Sequence, residues 1–243
     1  MAWIKSGGKL KTLLWLSLYY FLRLFVRFKL NNKTTVENLI EKGEKIIFVT
    51  YHRHVTSLSG YFLSKSTKEV KGFNKLITIV STSDDAKVLR RFLDEHKQSV
   101  EYICRPSRYS EGNPINARLK AAKWMLSKLV GGGICGSLVI DERCEERNSK
   151  MCDGPVFLAQ ASNSFLVPMV AKNRIELVLK RQWDKHRIPL WRGKIYFGNP
   201  IKIGGGRGKH FRTRETERIE KELDSLAKYA DEEVKGWRFS IPI

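Results

Sequence analysis

The sequence predicts an α/β protein: a central, mostly parallel or mixed sheet flanked by helices, with an amphipathic N-terminal membrane helix and a C-terminal helix. Three observations predict it. Short runs of β-prone apolar residues recur along the chain at 45–51, 76–80, 100–104, 137–140, 166–170, 175–179 and 194–197. Several of them alternate with helical patterns, as strands do in layered α/β sheets. And 243 residues with 42% hydrophobic and 29% charged composition suit one domain with a substantial core, while excluding a disordered chain or a multi-spanning membrane protein.

Three regions follow: an anchor over 1–34, an α/β domain over 35–203, and a basic linker with an amphipathic helix over 204–243. The anchor is read from residues 10–28, LKTLLWLSLYYFLRLFVRF. Its unbroken apolar part is short for a bilayer span, and Arg23 and Arg27 fall inside any window long enough to cross. Trp15, Tyr19 and Tyr20 favour the headgroup level, and the basic residues can reach anionic phosphates, so an interfacial helix is expected. No small-residue cleavage site follows that would mark a signal peptide.

Within the domain, the run at 45–51 is expected as a buried strand leading straight into His52. Asn113 and Pro114 open a helix over 115–130, with Leu119, Ala122, Leu126 and Leu129 on one face. The glycines at 131–133 lack the Lys-Ser/Thr that completes a phosphate loop, and read as a helix stop. Residues 204–209, GGGRGK, read as a flexible basic linker. Beyond them, Ile219, Leu223, Leu226, Ala230 and Val234 lie at helical spacing, predicting a helix over 212–234 that docks on the domain or lies on a membrane.

Charge is the anomaly. Forty-five Lys and Arg against 25 Asp and Glu leave a formal net charge of +20, which points to a polyanionic partner. No aromatic-basic recognition motif accompanies it, so no nucleic-acid partner is expected, and membrane lipids fit better with the N-terminal segment. Cys104, Cys135, Cys144 and Cys152 are irregularly spaced, without C-x-x-C or paired His, and read as reduced thiols rather than metal ligands. No metal site is expected.

The chemistry centres on Tyr51-His52-Arg53-His54-Val55-Thr56-Ser57. A histidine directly after a buried strand sits at the edge of a sheet, where α/β proteins build their sites. Its imidazole can accept a hydroxyl proton at physiological pH. Arg105 and Arg108 flank Pro106 after a strand, and guanidinium forks bind phosphate well, which suits an acceptor headgroup or a carrier phosphopantetheine.

These residues belong to an ordered series: 49–57, Val80-Ser81-Thr82-Ser83-Asp84-Asp85, Arg105-Pro106-Ser107-Arg108, Ile140-Asp141, the segment 154–160, Leu166-Val167-Pro168, and Trp183-Asp184 followed by Ile188-Pro189-Leu190. The series resembles the short bacterial lysophospholipid-acyltransferase-like family of the glycerolipid acyltransferase superfamily, which includes a class of lipid A secondary acyltransferases. The likeness spans roughly residues 35–203 and implies a glycerol-3-phosphate-acyltransferase-like fold.

By that resemblance His52 holds the general-base position, and the reaction is O-acyl transfer from an acyl thioester to a lipid hydroxyl at the cytoplasmic face of a bacterial inner membrane. The resemblance implies no bound cofactor, with acyl-carrier protein or acyl-CoA bringing the acyl group. The wider superfamily places an acid five residues after the His, where this chain has Ser57, which can orient an imidazole but cannot neutralise it. Asp85 or Asp84, matching the family's Asp after the next strand, is the expected replacement. Asp141 matches a second family Asp, but the Gly-Pro-Arg-Gly-Pro that follows it in the family is absent. Arg143, shifted by one from the family's Arg, remains a candidate for acceptor phosphate. The segment 183–190 is expected to shape a loop over the site.

Overall fold

The computed structural model describes residues 28–51, 76–81, 100–105, 114–131, 135–140, 153–181, 184–189 and 192–242, together with positions 17, 54, 58, 70, 90, 91, 93 and 94. In chain order, the described elements begin with β1 (Phe28–Asn31), α1 (Lys33–Glu41), β2 (Ile46–Tyr51), β3 (Leu76–Ser81) and β4 (Val100–Arg105). Next come α2 (Pro114–Val130), β5 (Cys135–Ile140), α3 (Gly154–Ser162), β6 (Phe165–Asn173) and β7 (Ile175–Arg181). The chain closes with β8 (Asp184–Pro189), β9 (Gly193–Phe197), β10 (Ile201–Lys202), α4 (Lys209–Glu233) and β11 (Trp237–Pro242).

The described strands form two sheets. The larger runs β1-β9-β6-β2-β5-β3-β4, with β10 also paired to β6; the smaller runs β11-β7-β8. From β6 to β4 every pairing is parallel, whereas β9 and β10 pair antiparallel with β6. All six residues of β2 are buried, which suits an interior strand of a parallel sheet and explains why its apolar run is continuous rather than alternating.

Ile47, Val49 and Tyr51 of β2 share one core cluster with Met125 and Leu129 of α2, Val156 and Ala159 of α3, and Ile219, Leu223 and Ala230 of α4. The three helices therefore cover one face of the sheet. Alternation sends Phe48 to the other face, where its ring meets Phe197 at 5.7 Å between centroids.

The apolar stripe of α2 differs from the expected one. Ala121, Met125 and Leu129 are fully buried, Ala122 and Leu126 flank them, and Leu119 is half exposed. The i, i+4, i+8 row of Ala121, Met125 and Leu129 faces the sheet, and the smaller Ala121 lets the helix approach where Leu119 was expected to pack. Asn113 lies outside the described residues.

Two further expectations change. The 204–209 segment is tied down: Gln160 Nε2 donates to the carbonyls of Gly204 at 3.1 Å and Gly206 at 2.7 Å. A Cβ on Gly206 would lie 2.2 Å from the Phe211 ring, so the glycine is there for close packing rather than for slack. And Asp184–Pro189 is a strand, β8, paired antiparallel with β7, so this stretch extends a sheet instead of shaping a loop.

The helix expected over 212–234 docks on the sheet as α4. The N-terminal segment 10–27 lies outside the described residues apart from Ser17, and Phe28 already belongs to the main sheet. Among the described residues no helix is long and apolar enough to cross a membrane.

Candidate active site at the carboxyl edge of the parallel strands

The parallel pairings bring the carboxyl ends of β2, β5, β3 and β4 to one edge of the large sheet, in that spatial order. Tyr51, the last residue of β2, is the register partner of Ile140, the last residue of β5. Ser81, ending β3, is the partner of Arg105, ending β4. Neighbouring strands lie about 4.8 Å apart, so the four ends span on the order of 15 Å.

The sequence candidates leave from these ends. His52 follows Tyr51 in the chain, Asp141 follows Ile140, Asp84 and Asp85 follow Ser81 within four residues, and Arg105 closes β4. His52, Ser57, Asp84, Asp85, Arg108, Asp141 and Arg143 lie outside the described residues, and for Arg105 the backbone alone is described. Topology thus sets the strand ends from which the candidates follow along one edge, with the β5 end beside the β2 end and the β3 end one strand further. The carboxyl edge of parallel strands is where open α/β sheets hold their ligands.

The ground beneath this edge is firm. Tyr51 is buried, and its hydroxyl donates to Asp224 Oδ1 on α4 at 2.6 Å, anchoring the strand end immediately before His52. No spacing in the sequence signals this contact, which joins positions 173 residues apart. Its neighbour Thr50 is also buried, and its hydroxyl makes no hydrogen bond among the described residues, an uncommon state for a buried polar group. His54, two residues past His52, is buried as well.

Near the amino end of β4, away from that edge, Glu101 pairs with Lys128 of α2 at 2.5 Å. The Tyr102 hydroxyl donates to Asp94 at 2.8 Å, and burial together with that hydrogen bond pushes its pKa up to about 12. Tyr102 therefore stays protonated at neutral pH and serves as a donor rather than a base. Cys104, next to Arg105, is an exposed free thiol. Among the described residues no group of three or more His, Cys, Asp or Glu could hold a metal ion.

The opposite flank of the sheet is held by charge. Lys172 of β6 and Lys194 of β9 are register partners, and each ion-pairs with α4, Lys172 with Asp231 and Lys194 with Glu233. Lys194 holds the Glu233 carboxyl below its ordinary range, helped by Tyr196. Burial, with Glu233 beside it, pushes the Tyr196 hydroxyl in the other direction. The Tyr196 and Tyr229 rings meet edge-on at 5.8 Å, closing the contact between β9 and α4.

No family model matches this chain, and no curated protein matches it in sequence. Among solved structures it is similar to the crystal structure of the 1-acyl-sn-glycerophosphate (LPA) acyltransferase PlsC from Thermotoga maritima, at 12% identity, covering 95% of this chain and 99% of that one. The TM-score is 0.43. A superposition that loose decides neither fold family nor chemistry, and the functional reading rests on this chain's own residues.

Proposed function

We propose that this protein is a membrane-associated O-acyltransferase that moves a fatty acyl chain from an acyl thioester to the hydroxyl of a lipid, a lysophospholipid or a lipid A precursor. The observation that carries the proposal is that the strands preceding His52, Asp84-Asp85 and Asp141, and the strand that Arg105 closes, end at one edge of a parallel sheet. The strands that precede these segments lie far apart in sequence, and only the topology brings their carboxyl ends to one edge. The acyl donor is acyl-carrier protein or acyl-CoA, and the N-terminal segment holds the protein at the cytoplasmic face of the inner membrane.

In the proposed reaction, the His52 imidazole takes the acceptor hydroxyl proton as the oxygen attacks the thioester carbonyl. The C–O bond forms, the C–S bond breaks, and the thiolate leaves with the proton held by the imidazolium. Cationic groups or backbone N–H groups must meet the charge that gathers on the carbonyl oxygen. Arg105 and Arg108 serve the phosphate of the headgroup or of the carrier arm, and Arg143 serves the acceptor phosphate.

An acid is needed to steady the imidazolium, since Ser57 can orient but not neutralise it. Asp84 and Asp85 follow β3 in the chain, and β5 separates β3 from β2. Asp141 follows Ile140, the last residue of β5 and the register partner of Tyr51. The direct pairing of β5 with β2 favours Asp141, and the family likeness favours Asp85. Exchanging each for Asn separates them, because only the acid that faces the ring should shift the acid limb of the pH–rate profile.

The proposal is tested by incubating the purified full chain with long-chain acyl-carrier protein or acyl-CoA and hydroxylated lipid acceptors. Thioester consumption that depends on the acceptor and yields an acylated lipid by mass spectrometry is the expected result. Ser57 and the altered turn after Asp141 also fit a lipid-binding protein that has lost its chemistry. Lipid binding without thioester consumption for any donor would establish that second reading.

A further inference from the structure

The charged side chains of α4 are sorted by direction. At helical spacing along it, His210, Arg214, Arg218, Lys221, Ser225 and Lys228 form one stripe, and every one of them is exposed. The side chains of Arg214 and Arg218 are 73% and 55% exposed. The opposite face of the helix puts Ile219, Leu223 and Ala230 into the core cluster. The outer stripe is thus polar at each position and cationic at most of them.

The carboxylates of the helix turn elsewhere. Asp231 and Glu233 pair with Lys172 and Lys194, and Asp224 accepts from the Tyr51 hydroxyl. Glu215 is buried and answers both Arg214, at 3.7 Å, and Arg218, at 3.4 Å, so two guanidinium groups share one carboxylate. Glu217, Glu220 and Glu222 are half-buried on the flanks. Helix stability does not account for this sorting. The amino end of a helix favours carboxylates, yet the first turn of α4 has none and carries Lys209, His210 and Arg212. Charges set against the helix dipole on an outer face break a local rule without a gain inside the chain, which points to a partner outside it.

The position of the stripe matters as much as its charge. Arg212 Nε donates to Asp153 Oδ2 at 2.6 Å, which ties the start of α4 to the residue before α3. Further along the same helix, Asp224 is tied to Tyr51 at the carboxyl end of β2. Arg214, Arg218 and Lys221 lie between those two ties, with Lys221 less than one turn before Asp224. A partner seated on them stands beside the strand end from which His52 follows.

We infer that the outer face of α4 is a docking surface for an acidic acyl-carrier protein, with Arg214, Arg218 and Lys221 meeting its surface carboxylates. Charge complementarity names the occupant, since an exposed cationic stripe matches an acidic protein surface and steers its approach. Placement agrees: a tethered acyl chain reaches only as far as its arm, so its carrier must dock beside the reacting edge. A bilayer would engage apolar side chains set beside the cations, and the stripe has none. The inference rests on the acyl-transfer reading of the proposed function and selects the carrier protein over coenzyme A as the donor.

The test measures binding of the purified full chain to acyl-carrier protein at low and high salt, and KM for acyl-carrier protein beside KM for acyl-CoA. The unmodified protein should bind the carrier in a salt-sensitive way. R214Q/R218Q/K221Q should weaken that binding by about ten-fold or more and raise KM for the carrier-borne donor in step. Should removing both partners of Glu215 unfold the triple variant, K221Q/K228Q must still weaken binding and lower its salt sensitivity. Undiminished carrier binding by either folded variant overturns the inference, as does an equal rise in KM for acyl-CoA. A loss of binding to phosphatidylglycerol vesicles with carrier binding intact overturns it too, and assigns the stripe to a bilayer. Turnover of acyl-CoA without carrier binding sinks the docking surface and leaves the acyltransferase reading standing. Salt-sensitive carrier binding that the variants lose, without turnover of any donor, upholds the surface and sinks that reading.

Discussion

Two lysine pairs, one in each sheet, are built alike and resolved differently. Lys172 and Lys194 face one another in the large sheet, and helix α4 answers them with Asp231 and Glu233. Lys180 and Lys185 face one another in the small sheet, where the register supplies no neighbouring carboxylate on their face. In the large sheet that juxtaposition is a joint that α4 closes. The deciding element is α4, whose apolar stripe lays its carboxylates over β6 and β9.

The comparison breaks most completely if α4 is loosened. Leu223 is fully buried in the core cluster. Leu223→Ala should cost about 2–5 kcal/mol of unfolding free energy by denaturant titration, from lost burial and the cavity left behind. A smaller blow falls on one clamp. Asp231→Ala leaves the Lys172 ammonium, only 5% exposed, without its partner, but Asp231 is itself 49% exposed and water can follow it in. The expected loss is about 1–3 kcal/mol, below that of a fully buried pair.

The second clamp adds a pH signature. Glu233 titrates below its ordinary range because Lys194 and then Tyr196 stabilise its charged form. A carboxyl lowered in the folded state contributes stability that is present above its unfolded pKa and lost as pH falls through the folded one. Glu233→Gln should therefore flatten the acid limb of the stability profile and leave its slope near neutrality unchanged, as read by melting temperature against pH.

A further step down in size is Tyr51→Phe. It deletes the hydroxyl that bonds Asp224 at 2.6 Å and should cost about 1 kcal/mol. Because the bond anchors the strand end before His52, the variant should also lower kcat more than it raises KM. The smallest effect, and the one that sharpens the comparison, is Lys180→Gln. Relieving an opposed like-charge pair should raise stability by a few tenths of a kcal/mol. The equivalent loss of charge at Lys172 would instead remove its ion pair with Asp231.

The fold was legible where burial wrote it into composition. The strands β2 to β6 and β9 announce themselves as apolar runs because they lie inside a parallel sheet or pack under helices, and β7 shows the same apolar run in the small sheet. Polar strands escaped: Phe28–Asn31 and Asp184–Pro189 hold too few apolar residues to stand out, and only pairing with β9 and β7 makes them strands. The face of α2 was misjudged because Leu119 is apolar yet half exposed, while Ala121 is small and buried.

At the candidate site, the sequence indicated His52 and its ordered companions but not their arrangement. The order of strands along the edge, which sets the end of β5 beside the end of β2, is a consequence of crossovers that no local pattern encodes. The Tyr51–Asp224 bond was equally hidden, because its two residues meet only when α4 crosses the sheet.

The most direct test concerns the imidazole itself. Acyl transfer by His52→Ala should be measured with a long-chain thioester donor and a lipid acceptor, alongside its melting temperature and vesicle binding. Transfer should fall by about 100-fold to 10,000-fold, the range for loss of a general base, with folding and vesicle binding retained. A His52→Ala protein that transfers acyl chains at the parent rate would remove the histidine from the chemistry and contradict the assignment of the edge as an acyltransferase site.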